Sequence, residues 1–153
     1  PRQSERAVIP SIIRQIIDPS CKIIKIGDTT PKRDFNYVDD TVNAFIHLAE
    51  INNNRIELGT AYNAGTGKAI SIQETINLLN KISKNNKPIK KDKNRFRPEK
   101  SEVKNLIACS KKLSSVTNWK PQTSLEEGLE ITLEWWKKQF KNKNIRYRSD
   151  YSI

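Results

Sequence analysis

Residues 7–17 read AVIPSIIRQII, residues 18–20 DPS, and residues 21–26 CKIIKI. In the first run Val8, Ile9, Ile12, Ile13, Ile16 and Ile17 recur at helical spacing, and Pro10 falls in the first turn, where proline is tolerated. Asp18 precedes Pro19, which drives it out of the helical region and ends the pattern. Cys21 to Ile26 then reads as a short strand closed by Gly27. A helix followed at once by a strand is the repeating unit of an α/β fold.

The alternation continues along the chain. Residues 28–31 are turn chemistry, and residues 34–38 read as extended. Asp39 or Asp40 is placed to cap a helix from Thr41 to Glu50, with Val42, Phe45, Ile46 and Ala49 along one face. Asn52 to Asn54 is a loop, and Thr60 to Ala64 a strand closed by the turn Gly65-Thr66-Gly67. Ser71 and Glu74 form a capping box for a helix whose apolar side holds Ile72, Ile76, Leu79 and Ile82. After a polar stretch come a strand over residues 104–108, a short helix over 110–116 and a loop at Trp119–Pro121. Ser124 and Glu127 form a second capping box, opening a helix that runs to Phe140. Residues 141–153 have no period and read as a basic, flexible tail.

The 153 residues suit one domain, and carry 28 Lys+Arg against 17 Asp+Glu for a net charge of +11. The hydrophobic share is 35% and the mean hydropathy −0.72, so the core is modest. No apolar run approaches the ~18 residues of a spanning helix, and no signal-peptide core is present. Cys21, Cys109 and the single His47 provide neither a disulfide framework nor zinc-ligand spacing. Methionine is absent, so the expectation is a fragment or a processed chain. The basic residues are scattered over both faces without interleaved aromatics, and the adjacent Trp135 and Trp136 point to different faces. A nucleic-acid-binding module is therefore the weaker alternative, and no specific nucleic acid is expected.

Three stretches invite a site reading. The Gly65-Thr66-Gly67-Lys68 loop fails as a phosphate-cradling loop, since position 62 is Tyr and position 69 Ala. It fails as a dinucleotide fingerprint because position 70 is Ile, which leaves a glycine turn. Arg33, where strand meets loop, can grip a phosphate or carboxylate bidentately, or merely pair with Asp34 or Asp39. Arg97, following Arg95 and stiffened by Pro98, can hold an anion or face water. His47 reads as a packing or surface residue.

Several blocks in order resemble the C-terminal part of an extended short-chain dehydrogenase/reductase (SDR), of the NAD-dependent nucleotide-sugar epimerase/dehydratase family. They are PRQ (1–3), VIP (8–10), IKIGD (24–28), RDFNYVDD (33–40), YNAGTG (62–67), SI (71–72), RP (97–98), NWKP (118–121) and SLEEGL (124–129). Within the family, PRQSERAVIP (1–10) and RPEKSEV (97–103) look most like the 4,6-dehydratases acting on nucleotide-linked N-acetylglucosamine in legionaminic-acid-type pathways.

The resemblance implies a Rossmann-like α/β fold. Residues 1–140 would be its last sheet strands and nucleotide-sugar-binding portion, with the N-terminal NAD-binding half absent. It implies a cytoplasmic parent enzyme, homodimeric and NAD-dependent, that oxidises the sugar at C4, eliminates water across C5–C6 and returns the hydride to C6. A 4-epimerase of the same family would share every block. By the same resemblance Arg33 and Arg97 would clamp the diphosphate, while Val8, Ile9, Pro10, Ile24 and Ile26 would wall the base pocket. Arg2 and Asn63 would lie near the cofactor. Lys100 and Cys109 stand where many relatives carry aspartate, so a helix cap is lost at Cys109 unless Ser110 takes it over. The Gly-x-x-Gly-x-x-Gly loop and Tyr-x-x-x-Lys pair of the family are both missing, so no residue here is expected to be catalytic.

Overall fold

The computed structural model describes residues 1–51, 53–96, 98 and 102–145. Helix α1 (Val8–Ile17) starts without a side-chain cap, and Pro10 lies in its first turn as expected. Its C-terminal carbonyls are instead gathered by one ammonium group. Lys87 Nζ donates to Gln15 O, Ile16 O and Asp18 O at 2.7, 2.8 and 2.8 Å, a cation on the negative end of the helix. Strand β1 (Ile24–Ile26) is buried at Ile24 and Ile26 and exposed at Lys25, the alternation of a strand with one face in the core.

The elements that follow are β2 (Lys32–Arg33), α2 (Val38–Glu50), β3 (Ile70–Ser71), α3 (Ile72–Ser83), β4 (Ile89–Lys91), β5 (Asn105–Leu106), α4 (Lys111–Thr117) and α5 (Leu125–Lys141). Strands β1 and β4 pair in parallel, Ile24 opposite Ile89. Strand β2 lies between β3, antiparallel, and β5, parallel, with Arg33 opposite both Ile70 and Leu106. The mixed α/β class expected from the sequence is what forms.

The core joins three helices to β1. Ile12, Ile13 and Ile16 of α1, Ile76 and Leu79 of α3, and Leu129, Leu133 and Trp136 of α5 are buried together with Ile24 and Ile26. Both serines cap their helices, but only the first makes the full box expected. Ser71 and Glu74 complete a reciprocal capping box, and Ser124 Oγ accepts from the Glu127 amide. A smaller cluster of Ala44, Leu113 and Trp119 sits between α2 and α4. Trp119 donates from Nε1 to Asp40 O at 3.0 Å.

Several expectations change. Helix α2 begins at Val38, and neither aspartate caps it: Tyr37 is the cap residue and makes no side-chain bond. Asp40 is turned inward, accepting from the Gln122 and Thr123 amides at 2.9 and 3.0 Å, and so ties α2 to the segment entering α5. Residues 60–64 form no strand; the strand of this region is Ile70–Ser71, beyond the glycine turn. Ser110 precedes α4 but does not cap it, because its hydroxyl is taken by the backbone of Gly65. Helix α5 absorbs Lys141, and Ile145 packs on the core, so the periodless tail starts later than expected. Residues 146–153 lie outside the described residues. No helix among the described residues is long and apolar enough to cross a membrane.

Candidate functional site

Strand β2 is two residues long, and its second residue is the one that matters. Arg33 is held between β3 and β5, and its guanidinium is aimed by backbone. Nη1 donates to Lys32 O at 2.8 Å and to Val103 O at 2.6 Å, while Nη2 reaches Glu102 Oε1 at 2.5 Å. The pair is largely shielded, with 18% of each side chain exposed. Arg33 thus has an acidic partner, but that partner is neither Asp34 nor Asp39.

Asp34 is occupied by something else. Its Oδ1 accepts from the Thr66 amide and hydroxyl at 3.0 and 2.6 Å, and its Oδ2 from the amides of Gly67 and Ala108 at 2.9 and 3.2 Å. The glycines make this possible. A Cβ on Gly65 would collide with the Ala108 methyl and crowd the Asp34 carboxylate, and Gly67 has φ +73°. The turn is therefore a nest around an internal carboxylate. Its amides are the donors a dinucleotide pyrophosphate would need, and Asp34 already takes them. This loop does not fit NAD.

Arg33 opens onto a cleft of about 370 Å³ between the start of α1, the end of β1 and β2. Val8 and Ile26 line it, as do Arg6 and Arg95. Arg95 is fixed by Lys25 O at 3.1 Å and by Asp92 at 3.5 Å. Asp28 lines the same cleft, and its carboxyl is held below the ordinary value, chiefly by the Thr30 amide, with the Thr30 hydroxyl adding. A second cleft of about 420 Å³ is lined by Arg2, Ile9 and Tyr37 among others. Phe35 lines both and forms the wall between them. Burial raises the Tyr37 phenol above its ordinary value, and the carboxylates of Asp39 and Glu127 add to this. The phenol keeps its proton at neutral pH and can donate a hydrogen bond but not act as a base.

The structure thus brings Arg33, Val8 and Ile26 into one cleft and places Ile9 and Arg2 in its neighbour. Pro10 and Ile24 are fully buried and line neither. Asn63 is exposed and also lines neither. Arg97 and Lys100 lie outside the described residues. Sequence reasoning quoted Glu102 inside a block and gave it no role, since nothing local marks a partner 69 residues away. Both cysteines are free, and no cluster among the described residues could hold a metal. His47 contacts Thr117 O through Nδ1 at 3.3 Å, a packing role.

Known proteins align with this chain over nearly its whole length. GDP-6-deoxy-D-mannose reductase of Pseudomonas aeruginosa is 29% identical over 140 residues, covering 89% of this chain and 44% of the reductase. UDP-glucuronate 4-epimerase of Thermodesulfobacterium geofontis is 36% identical over 118 residues, covering 76% of this chain and 34% of the epimerase. The solved structure of RMD from Pseudomonas aeruginosa with NADPH superposes with a TM-score of 0.80 at 28% identity, over 91% of this chain and 45% of that one. The chain spans less than half the length of these relatives. The family model for GDP-mannose 4,6 dehydratase matches residues 1–132. With sequence and fold in agreement over that span, the chain belongs to this family of NAD-dependent nucleotide-sugar epimerases and dehydratases.

Proposed function

We propose that this chain is the nucleotide-sugar-binding portion of a 4,6-dehydratase acting on a nucleotide-linked N-acetylglucosamine, with Arg33 and Arg97 as the diphosphate clamp. The observation that carries the reading is Arg33 itself. Its guanidinium is fixed by two backbone carbonyls at the end of a strand, and it shares one cleft with Arg6 and Arg95. An arginine aimed in this way loses little freedom on meeting a phosphate, and its planar fork matches the oxygens. Val8 and Ile26 supply the apolar wall for the base. The second cleft, with Arg2 and the protonated Tyr37, faces the cofactor side.

The dinucleotide is held by the part of the fold that this chain does not supply. The nest at Gly65–Gly67 is filled, and no Gly-x-x-Gly-x-x-Gly or Tyr-x-x-x-Lys occurs in the sequence. The chain alone is then without dehydratase activity and a poor NAD binder.

A second reading, a 4-epimerase, is favoured by the UDP-glucuronate 4-epimerase match at 36% identity. The product separates the two in an enzyme carrying the rest of the fold, with UDP-N-acetylglucosamine as substrate. Loss of one water from the sugar identifies the dehydratase, whereas unchanged mass with inverted C4 identifies the epimerase. In that enzyme Arg97→Ala and Arg33→Ala should each weaken substrate binding by ~2–4 kcal/mol and leave NAD affinity nearly unchanged. Unchanged sugar-nucleotide affinity in both variants rules out the clamp.

A further inference from the structure

The first cleft is a peculiar place for an anion. Among the described residues its walls carry three arginines, Arg6, Arg33 and Arg95, but also three carboxylates, Asp28, Asp34 and Glu102. Two of the acids are accounted for by partners that are not ligand-facing cations. Asp28 accepts from the Thr30 amide and hydroxyl, and Asp34 sits in its nest. Glu102 differs, because it is paired with the guanidinium that would receive a ligand.

The bonds on Arg33 divide into two kinds. The two on Nη1 come from main-chain carbonyls of β2 and of the segment leading to β5, and they fix the plane of the guanidinium whatever Glu102 does. The third, on Nη2, comes from a side chain of three rotatable bonds lining the cleft. Glu102 is therefore not needed to aim Arg33. It occupies the place where an oxygen of a ligand would sit.

We infer that Glu102 is an internal competitor for the anion site, the residue that sets how tightly Arg33 takes a diphosphate. The inference rests on the assignment of Arg33 to the diphosphate. When the ligand arrives, its oxygen replaces Glu102 Oε1 on Nη2 and the carboxylate turns to solvent; no covalent bond changes. Without the competitor the arginine keeps its orientation and loses its neutralising partner. In the absence of ligand the pair spares Arg33 an unpaired charge. A positioning partner would act in the opposite sense, since its removal would loosen the arginine and weaken binding.

The test is calorimetric titration of the 153-residue chain with UDP, for the unaltered protein, Glu102→Gln, Arg33→Gln and the double variant. Glutamine keeps the size and removes the charge. Glu102→Gln is expected to bind UDP about tenfold more tightly, the size of effect that losing a close charge–charge contact gives at a partly shielded site. That gain should vanish when Arg33 is also Gln, and thermal melts should show all four proteins folded. A tighter complex is not something a merely structural role produces. Unchanged or weaker UDP binding in Glu102→Gln, with the melt preserved, overturns the competitor. A gain that persists in the double variant overturns it too, because the effect would not pass through Arg33. The underlying assignment fails differently: Arg33→Gln then binds UDP as well as the unaltered chain does, or none of the four proteins binds it.

Discussion

Helices α2 and α3 are written in the same amphipathic code and end in opposite environments. In α3 the apolar side is gone from solvent: Ile76 and Leu79 are 0% exposed, sealed against α1 and α5. In α2 the equivalent stripe looks outward, with Val42 48%, Phe45 70% and Ile46 45% exposed. The face of α2 that is buried is the other one, through Asp40 and Ala44. A helix pays the entropy of ordering only if its stripe finds a partner. Helix α3 finds it inside this chain and, among the described residues, α2 does not.

The comparison can be broken most forcefully at α3. Leu79→Ala should cost about 2–5 kcal/mol in a denaturant melt, the range for truncating a fully enclosed leucine. A loss under 1 kcal/mol (well below that ~2 kcal/mol floor) would mean that α3 is not packed as described.

A smaller effect is expected at the helix start, where the two also differ. Ser71→Ala removes the capping box of α3 and should cost ~1 kcal/mol, whereas α2 has no side-chain cap to lose. The same substitution should change the response to acid. The Glu74 carboxyl is held below its ordinary value, first by the Ser71 hydroxyl and then by the Ser71 amide. The unfolded chain therefore takes up a proton that the folded chain refuses. This stabilisation is complete above the ordinary carboxylate range and is lost as pH falls through the lowered value. Melting temperature followed downward from neutral pH should fall less steeply for Ser71→Ala, and identical acid limbs would contradict the box.

The smallest effect on stability belongs to α2. Phe45→Asp should shift the melt by no more than about 0.5 kcal/mol, because the ring has little to lose. Its readout is association. Sedimentation of the unaltered chain should show self-association that the aspartate relieves, as removal of an exposed apolar patch does. A large drop in stability would show that the stripe is already covered.

This contrast also explains what could be read from residues alone. The stripe of each helix was legible, and so were both capping serines, since each is written within a few positions; the second box is half made, Ser124 capping α5 without a return bond from Glu127. Whether a stripe is covered was not, because that depends on chain far away in sequence. The failed strand at residues 60–64 has the same cause. Its residues suit a strand, but a strand exists only with a ladder beside it, and among the described residues no neighbour pairs with it. Strand β4 was missed in reverse: Ile89 is followed by Lys90 and Lys91, which look like solvent-facing chain until Ile24 of β1 is placed opposite. In the site, Arg33 announced itself by residue type. Glu102 did not, because a glutamate in a charged loop is unremarkable until the fold sets a guanidinium against it.

The carboxylate of Asp34 has one more consequence. Its donors come from 32 and 74 residues further along the chain, while the arginine beside it in sequence lines the first cleft. Nothing local can satisfy that acid, so the turn at 65–67 and the stretch after β5 must both arrive before β2 has its final surroundings. Contacts of such long reach form late in folding, after the helices have condensed. Recognition should therefore be among the last properties this chain acquires. In a stopped-flow refolding experiment helical ellipticity would recover first and nucleotide capture would lag behind it, making ligand binding a clock for closure of the loops.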